Sequence, residues 1–93
     1  MDNYTIIEKE AIANLQFPNE EVLHEIAAQK QRAADLQNVT VLGNAEHIKV
    51  EIFFKDATSK YRVNTTVWGV TDIRVILKQG ILIPINRIVK ISY

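Results

Sequence analysis

The second half of the chain alternates. From His47 to Tyr93 apolar residues occupy every other position in runs separated by turn residues: HIKVEIFFK, KYRVNTTVWGV, DIRVILK, ILIPI and RIVKISY. A period of two is that of a strand with one face on a core. Ile48, Val50, Ile52 and Phe54 share one phase, as do Tyr61, Val63, Thr65 and Val67, then Ile73, Val75 and Leu77, then Ile81, Ile83 and Ile85, with a last strand over 88–91. Residues 56–59 and Thr71-Asp72 read as polar turns. Gln79-Gly80 suits a tight hairpin with Gly80 at positive φ. Pro84 implies an edge or a bulge, since it has no N–H to give a ladder. Asn86-Arg87 suits a single turn before the last strand.

In the first half the spacing changes to three and four. Thr5 and Glu8 fit a capping box, which predicts a short helix to about Leu15 burying Ile7, Ala11, Ile12 and Leu15. Phe17-Pro18 ends it. Asn19 then caps a second helix with Glu20 and Glu21 in its first turn, where the dipole favours negative charge. Val22, Leu23, Ile26, Ala27, Ala33 and Ala34 form its apolar stripe. Residues 37–42 read either as a continuation of this helix, with Gly43 just past its end, or as a strand entering a Gly43-Asn44 hairpin. Val41 and Leu42 extend the stripe and favour the helix.

Together these elements predict an α+β fold: one domain over 1–93, with a helical layer over 1–46 packed on a small, strongly bent antiparallel β-barrel over 47–93 of about five strands. Phe53, Trp68, Ile76 and Leu82 fall on the outward phase yet are apolar. A sheet facing water would not need them. The helical stripe or a second copy of the chain is expected to cover them, and the latter makes them a self-association surface.

Charge adds a division that the net value of zero conceals. Residues 1–46 carry three bases and eight acids, and residues 47–93 carry eight bases and three acids. Either the acidic helices lie over the basic sheet, or the sheet offers a face to an anionic partner. Absent cysteine, there is no disulfide, no Cys-held zinc and no thiol nucleophile, which fits a reducing cytoplasm. MDNYTIIEKE has neither the basic nor the apolar region of a signal peptide, and no run reaches the roughly 18 apolar residues of a membrane span.

Chemistry-bearing patterns are sparse. His24 and His47 lack metal-ligand spacing, the three glycines are scattered, and Ser59 and Ser92 lie outside any nucleophile motif. No metal, no cofactor and no catalysis are expected. Trp68-Gly69 is the most distinctive dipeptide. Trp68 beside Arg62 and Arg74 suits stacking on a base or clamping a peptide, or else fills the sheet–helix seam. Arg87 suits either an anionic ligand or carbonyls at the barrel mouth. Arg62, Trp68, Arg74 and Arg87 are therefore the candidate binding residues.

A helix followed by about five short bent strands, the last two joined by a single turn, resembles the Sm-like and SH3-like small barrels. Within that group, IKVEIFFKD, KYRV, IRVILKQG and ILIPINRIVKI, together roughly half the chain, resemble the Rho-binding antiterminator family. The stretch TTVWGVTDIRVILKQGILIPINRIVKI is also similar to a set of short bacterial proteins. NYTIIEKE lacks the Pro and Cys that open the antiterminator pattern. That resemblance implies a protein partner engaged through acidic groups, whereas this β half is basic. The resulting expectation is a non-enzymatic binding or regulatory module of the bacterial cytoplasm with a protein or RNA partner. A structural, self-associating protein is the alternative, and a small enzyme the remote one.

Overall fold

A computed structural model describes residues 3–93. The alternating half forms strands β2 (Val50–Lys55), β3 (Lys60–Thr65), β4 (Val67–Val70), β5 (Arg74–Leu77), β6 (Leu82–Pro84) and β7 (Ile88–Ser92), preceded by a two-residue β1 (Thr5–Ile6). They lie in two sheets, ordered β1-β3-β2-β7 and β4-β5-β6. Only Thr66 separates β3 from β4, so one bent strand passes from the first sheet to the second. Thr65, Thr66 and Val67 are buried in succession at the bend, where alternation must break. The chain returns at the other end through a single 3-10 turn, Ile85–Arg87, into β7, which pairs antiparallel with β2. The architecture is α+β, but the sheets do not close into a hydrogen-bonded barrel.

The inward phase forms the core. Ile52, Phe54, Val63, Val67, Val75, Leu77, Ile83 and Ile88 are buried, and Ile12, Leu36 and Val39 from the first half join the same cluster. Pro84 lies on edge strand β6 opposite Arg74. The bonds Ile85 N–H to the Ile73 carbonyl and Leu77 N–H to the Ile81 carbonyl place that pair between hydrogen-bonded positions, so β5 loses nothing by the missing N–H. At the β5–β6 turn not only Gly80 (φ 81°) but also Gln79 (φ 69°) is left-handed. An unbranched L-residue there costs about 1–2 kcal/mol. Gln79→Gly is therefore expected to raise the urea midpoint modestly, by about 0.5–1 kcal/mol in stability; a loss of stability would contradict it.

The first half departs from its sequence pattern. Instead of a capped helix from Thr5, Thr5 and Ile6 pair parallel with Tyr61 and Arg62 at the edge of β3, and Lys9–Asn14 is a 3-10 segment. The open edge offers backbone partners to a β-branched stretch too short to hold a helix alone. No helix begins at Asn19. Its carbonyl accepts a bond from Asn86 Nδ2 at 2.6 Å, the Glu20 carbonyl one from Arg87 Nη1 at 2.7 Å, and Val22 N–H donates to the Asn86 carbonyl at 2.9 Å. The last turn of the β half thus holds 19–22 as a bent, irregular loop.

The one α-helix among the described residues, α1, spans Ile26–Glu46 and so includes 37–42. Its inward face is Arg32, Leu36, Val39 and Gly43, not the stripe of Val22, Leu23, Ile26, Ala27, Ala33 and Ala34. Ile26 and Val41 are each 65% exposed. Alanines bury little area, so the larger Leu36 and Val39 set the rotation. The helix packs on β4 and β7, one strand from each sheet, and spans the seam between them. It does not cover the outward apolar positions.

Arg32 fastens α1 to the loop before it. Its guanidinium grips Glu21 through two bonds of 2.8 and 2.6 Å and donates a third, at 2.9 Å, to the Ile88 carbonyl. The Arg32 guanidinium holds the Glu21 carboxyl below its ordinary value of 4.5, helped by the Leu23 N–H and opposed by partial burial. A carboxylate with a depressed folded pKa contributes stability that is present above the unfolded value and lost as pH falls through the folded one. Stability should therefore decline below about pH 4.5. In Glu21→Gln this part of the decline should vanish; acid titration followed by circular dichroism would show an unchanged slope if the pair were idle.

Candidate nucleic-acid interface

The four candidate binding residues do not converge. Arg87 is buried (6% exposed), and its guanidinium donates to the carbonyls of Lys55, Glu20 and Asp56. It is a clamp on three backbone segments and has no face for a ligand. Arg74 is exposed on β5 and lines an open groove of about 750 Å³ between the hairpin β5–β6 and the Lys9–Pro18 stretch, with Asp72 and Glu21 also on its walls. Arg62 lies on the outer side of the four-stranded sheet, 3.8 Å from a Glu51 carboxylate oxygen.

Trp68 is 48% exposed, so it does not fill the seam. Pairing with β5 slips between Val67 and Gly69, and that bulge turns Trp68 out of the regular pleat. It lines a groove of about 730 Å³ with Gly43, Asn44, His47, Lys49, Thr66 and Lys78. Three elements build the groove. The C-terminus of α1 brings Asn44 and His47, the latter in a left-handed conformation (φ 56°) that ends the helix. Lys49 leads into β2. Lys78 follows β5, with its N–H bonded to the Thr66 carbonyl at 3.0 Å.

No carboxylate lines this groove, and neither Lys49 nor Lys78 is ion-paired among the described residues. The helix C-terminus contributes a partial charge of about −0.5, against which two ammonium groups leave the groove positive. Glu21 lies elsewhere, facing Arg32 and, with Asp72 of the second half, lining the Arg74 groove. Within the groove, therefore, no lining carboxylate cancels the two lysines. An exposed indole bordered by cations offers a flat apolar face and anion contacts together. His47 and Lys49 escaped the sequence reading because neither is near Trp68 in the chain. Lys78 is ten residues from Trp68 and comes beside it only through the Val67↔Leu77 register of the folded sheet.

The proposed self-association set is also divided. Phe53 is 9% exposed on the first sheet, under the edge of the Tyr4 ring at 5.0 Å and the Lys90 ammonium at 4.7 Å. Ile76 and Leu82 lie opposite one another on the second sheet, with Leu82 46% exposed. Local cover thus replaces the partner expected for Phe53.

Comparison with known proteins finds no matching family model, curated sequence or solved structure. Among the described residues no helix is long and apolar enough to cross a membrane.

Proposed function

We propose that this protein is a non-enzymatic binding module that takes single-stranded RNA on Trp68, in the cytoplasm that its cysteine-free composition suits. The observation that carries this reading is the half-exposed Trp68 in a groove with Lys49 and Lys78 and no carboxylate. A base stacks on the indole, and the adjoining phosphates meet the ammonium groups. Of the two partner classes, protein and RNA, this combination favours RNA, because any base presents a flat face beside a charge. The strand path supports an open relative of the Sm-like and SH3-like barrels: β2, one bent strand, β5, β6, a single turn, and β7 back beside β2.

Trp68 is the only tryptophan in the chain, so its emission reports the site directly. Oligouridylate at low salt is expected to quench it. Trp68→Ala, followed with labelled RNA, should lose about 1–3 kcal/mol of binding. Lys49→Ala and Lys78→Ala should each flatten the log–log salt dependence by about 0.7. No signal with about 100 μM protein, at the weak end of nonspecific RNA affinities, would remove the reading. Equal quenching by a hexaglutamate peptide would replace RNA with an acidic protein segment.

A second reading is self-association through the second sheet, where Ile73 is 60% exposed and lines the same groove as Leu82. Concentration-dependent sedimentation abolished by Leu82→Lys would establish it, and a concentration-independent monomer would exclude it.

A further inference from the structure

We infer that the Trp68 groove is one end of a longer single-strand track, which runs along the outer face of the four-stranded sheet to Arg62 and Lys90. The inference rests on the RNA reading of Trp68 and gives that site a length and a direction.

The bent strand supplies the path. From Arg62 to Trp68 the outward positions are Arg62, Asn64 and Trp68, while Val63, Thr65, Thr66 and Val67 are buried. Cross-strand pairing widens this line into rows. Phe53 pairs with Arg62 on one side and Lys90 on the other, so two cations flank one ring. Lys90 holds its ammonium 4.7 Å from that ring. The next outward row is Glu51, Asn64 and Ser92. Beyond it lie Lys49 and Trp68. Arg62 and Trp68 are six residues apart, at most about 20 Å along the bent strand at roughly 3.3 Å per residue. That span suits the short end of the roughly 4–16-nucleotide sites of small single-strand-binding β-folds.

Charge complementarity selects the occupant. Arg62 and Lys90 flank one end of the path and Lys49 and Lys78 the other, so a phosphate backbone meets cations at both ends. A groove of about 620 Å³ lies at its far end, between Tyr4, Phe53, Arg62 and Lys90. Glu51 is the only acid on the rows. Its contact with Arg62 is long at 3.8 Å, and the two side chains are 31% and 38% exposed. Such a pair is weakly held. A phosphate can take over Arg62 at small cost, and Glu51 then acts as a brake on binding.

The test uses the full chain, Trp68 emission and oligouridylates of one to eight nucleotides. Affinity is expected to rise more than tenfold between the dinucleotide and the tetra- or pentanucleotide and then to level. Arg62→Ala combined with Lys90→Ala should abolish that rise and leave dinucleotide binding unchanged. It should also lower the octamer's salt slope by about 1.4, two phosphate contacts at roughly 0.7 each. Glu51→Gln should tighten the octamer and not the dinucleotide, and this holds the test open should the double variant fold poorly. If the dinucleotide quenches Trp68 but length adds nothing beyond the number of binding registers, the track is wrong and the Trp68 site stands. If the Arg62/Lys90 variant keeps the length dependence, the track is equally wrong. Absence of quenching at every length removes the Trp68 reading and the track with it.

Discussion

Phe54→Ala is expected to cost about 3–5 kcal/mol in chemical denaturation, the usual range for truncating a fully buried aromatic. Phe54 has no exposed surface and stands at the centre of the shared core. Phe17 from the first half and Tyr61 from β3 flank it, with ring centroids at 6.1 and 5.8 Å. Ala leaves a void that these two segments would have to collapse to fill. Both are held in place: β3 by its pairing with β2, and the stretch after Phe17 by the Asn86 and Arg87 bonds to the Asn19 and Glu20 carbonyls. Relaxation is therefore limited and the cavity persists. A loss below about 1 kcal/mol would mean that Phe54 does not face the core.

Gly43→Ala should also destabilise, by about 2–3 kcal/mol, although the same change in an exposed helix interior gains up to about 1 kcal/mol. Here the helix backbone lies directly against β4. A Cβ on Gly43 would overlap the Val67 carbonyl oxygen and come within 3.2 Å of the Thr66 methyl. The principal obstacle is backbone, so no rotamer change relieves it, and α1 must move away from the bend. Ala45→Gly, two residues on at an exposed position, is the control and should cost the ordinary helix-propensity loss of about 1 kcal/mol. Thermal or urea melts of the pair decide the matter: if Gly43→Ala is stabilising, α1 is not seated on β4. Because Gly43 and Thr66 line the Trp68 groove, the same variant should weaken RNA binding.

Local pattern dictates most of the β half, although Ile48 and Ile73, on the expected inward phase, lie outside the strands and are exposed. Inward Ile52, Phe54, Val75 and Leu77, the polar turn after Asp56, the left-handed Gly80 and the single turn at Asn86-Arg87 all follow from local rules, since a strand's period and a turn's φ depend on neighbouring residues. Both alternatives for Arg87 were visible too, and burial chose the carbonyls. Tertiary structure decided the remainder. Thr5 and Glu8 carry a sound capping signal, yet the edge of β3 captures Thr5 and Ile6. Asn19 is a good N-cap, yet Asn86 and Arg87, more than sixty residues away, take the backbone groups a helix there would need. The rotation of α1 depends on two large residues and one glycine meeting β4 and β7, and its weak stripe could not announce this. The Trp68 groove is likewise non-local. His47, Lys49 and Lys78 meet the indole only because a helix end, a strand start and a hairpin are brought together by the bend at Thr66. Periodicity reports which face of an element is apolar, whereas contacts between elements depend on the backbone hydrogen bonds and close approaches that only the folded chain can make.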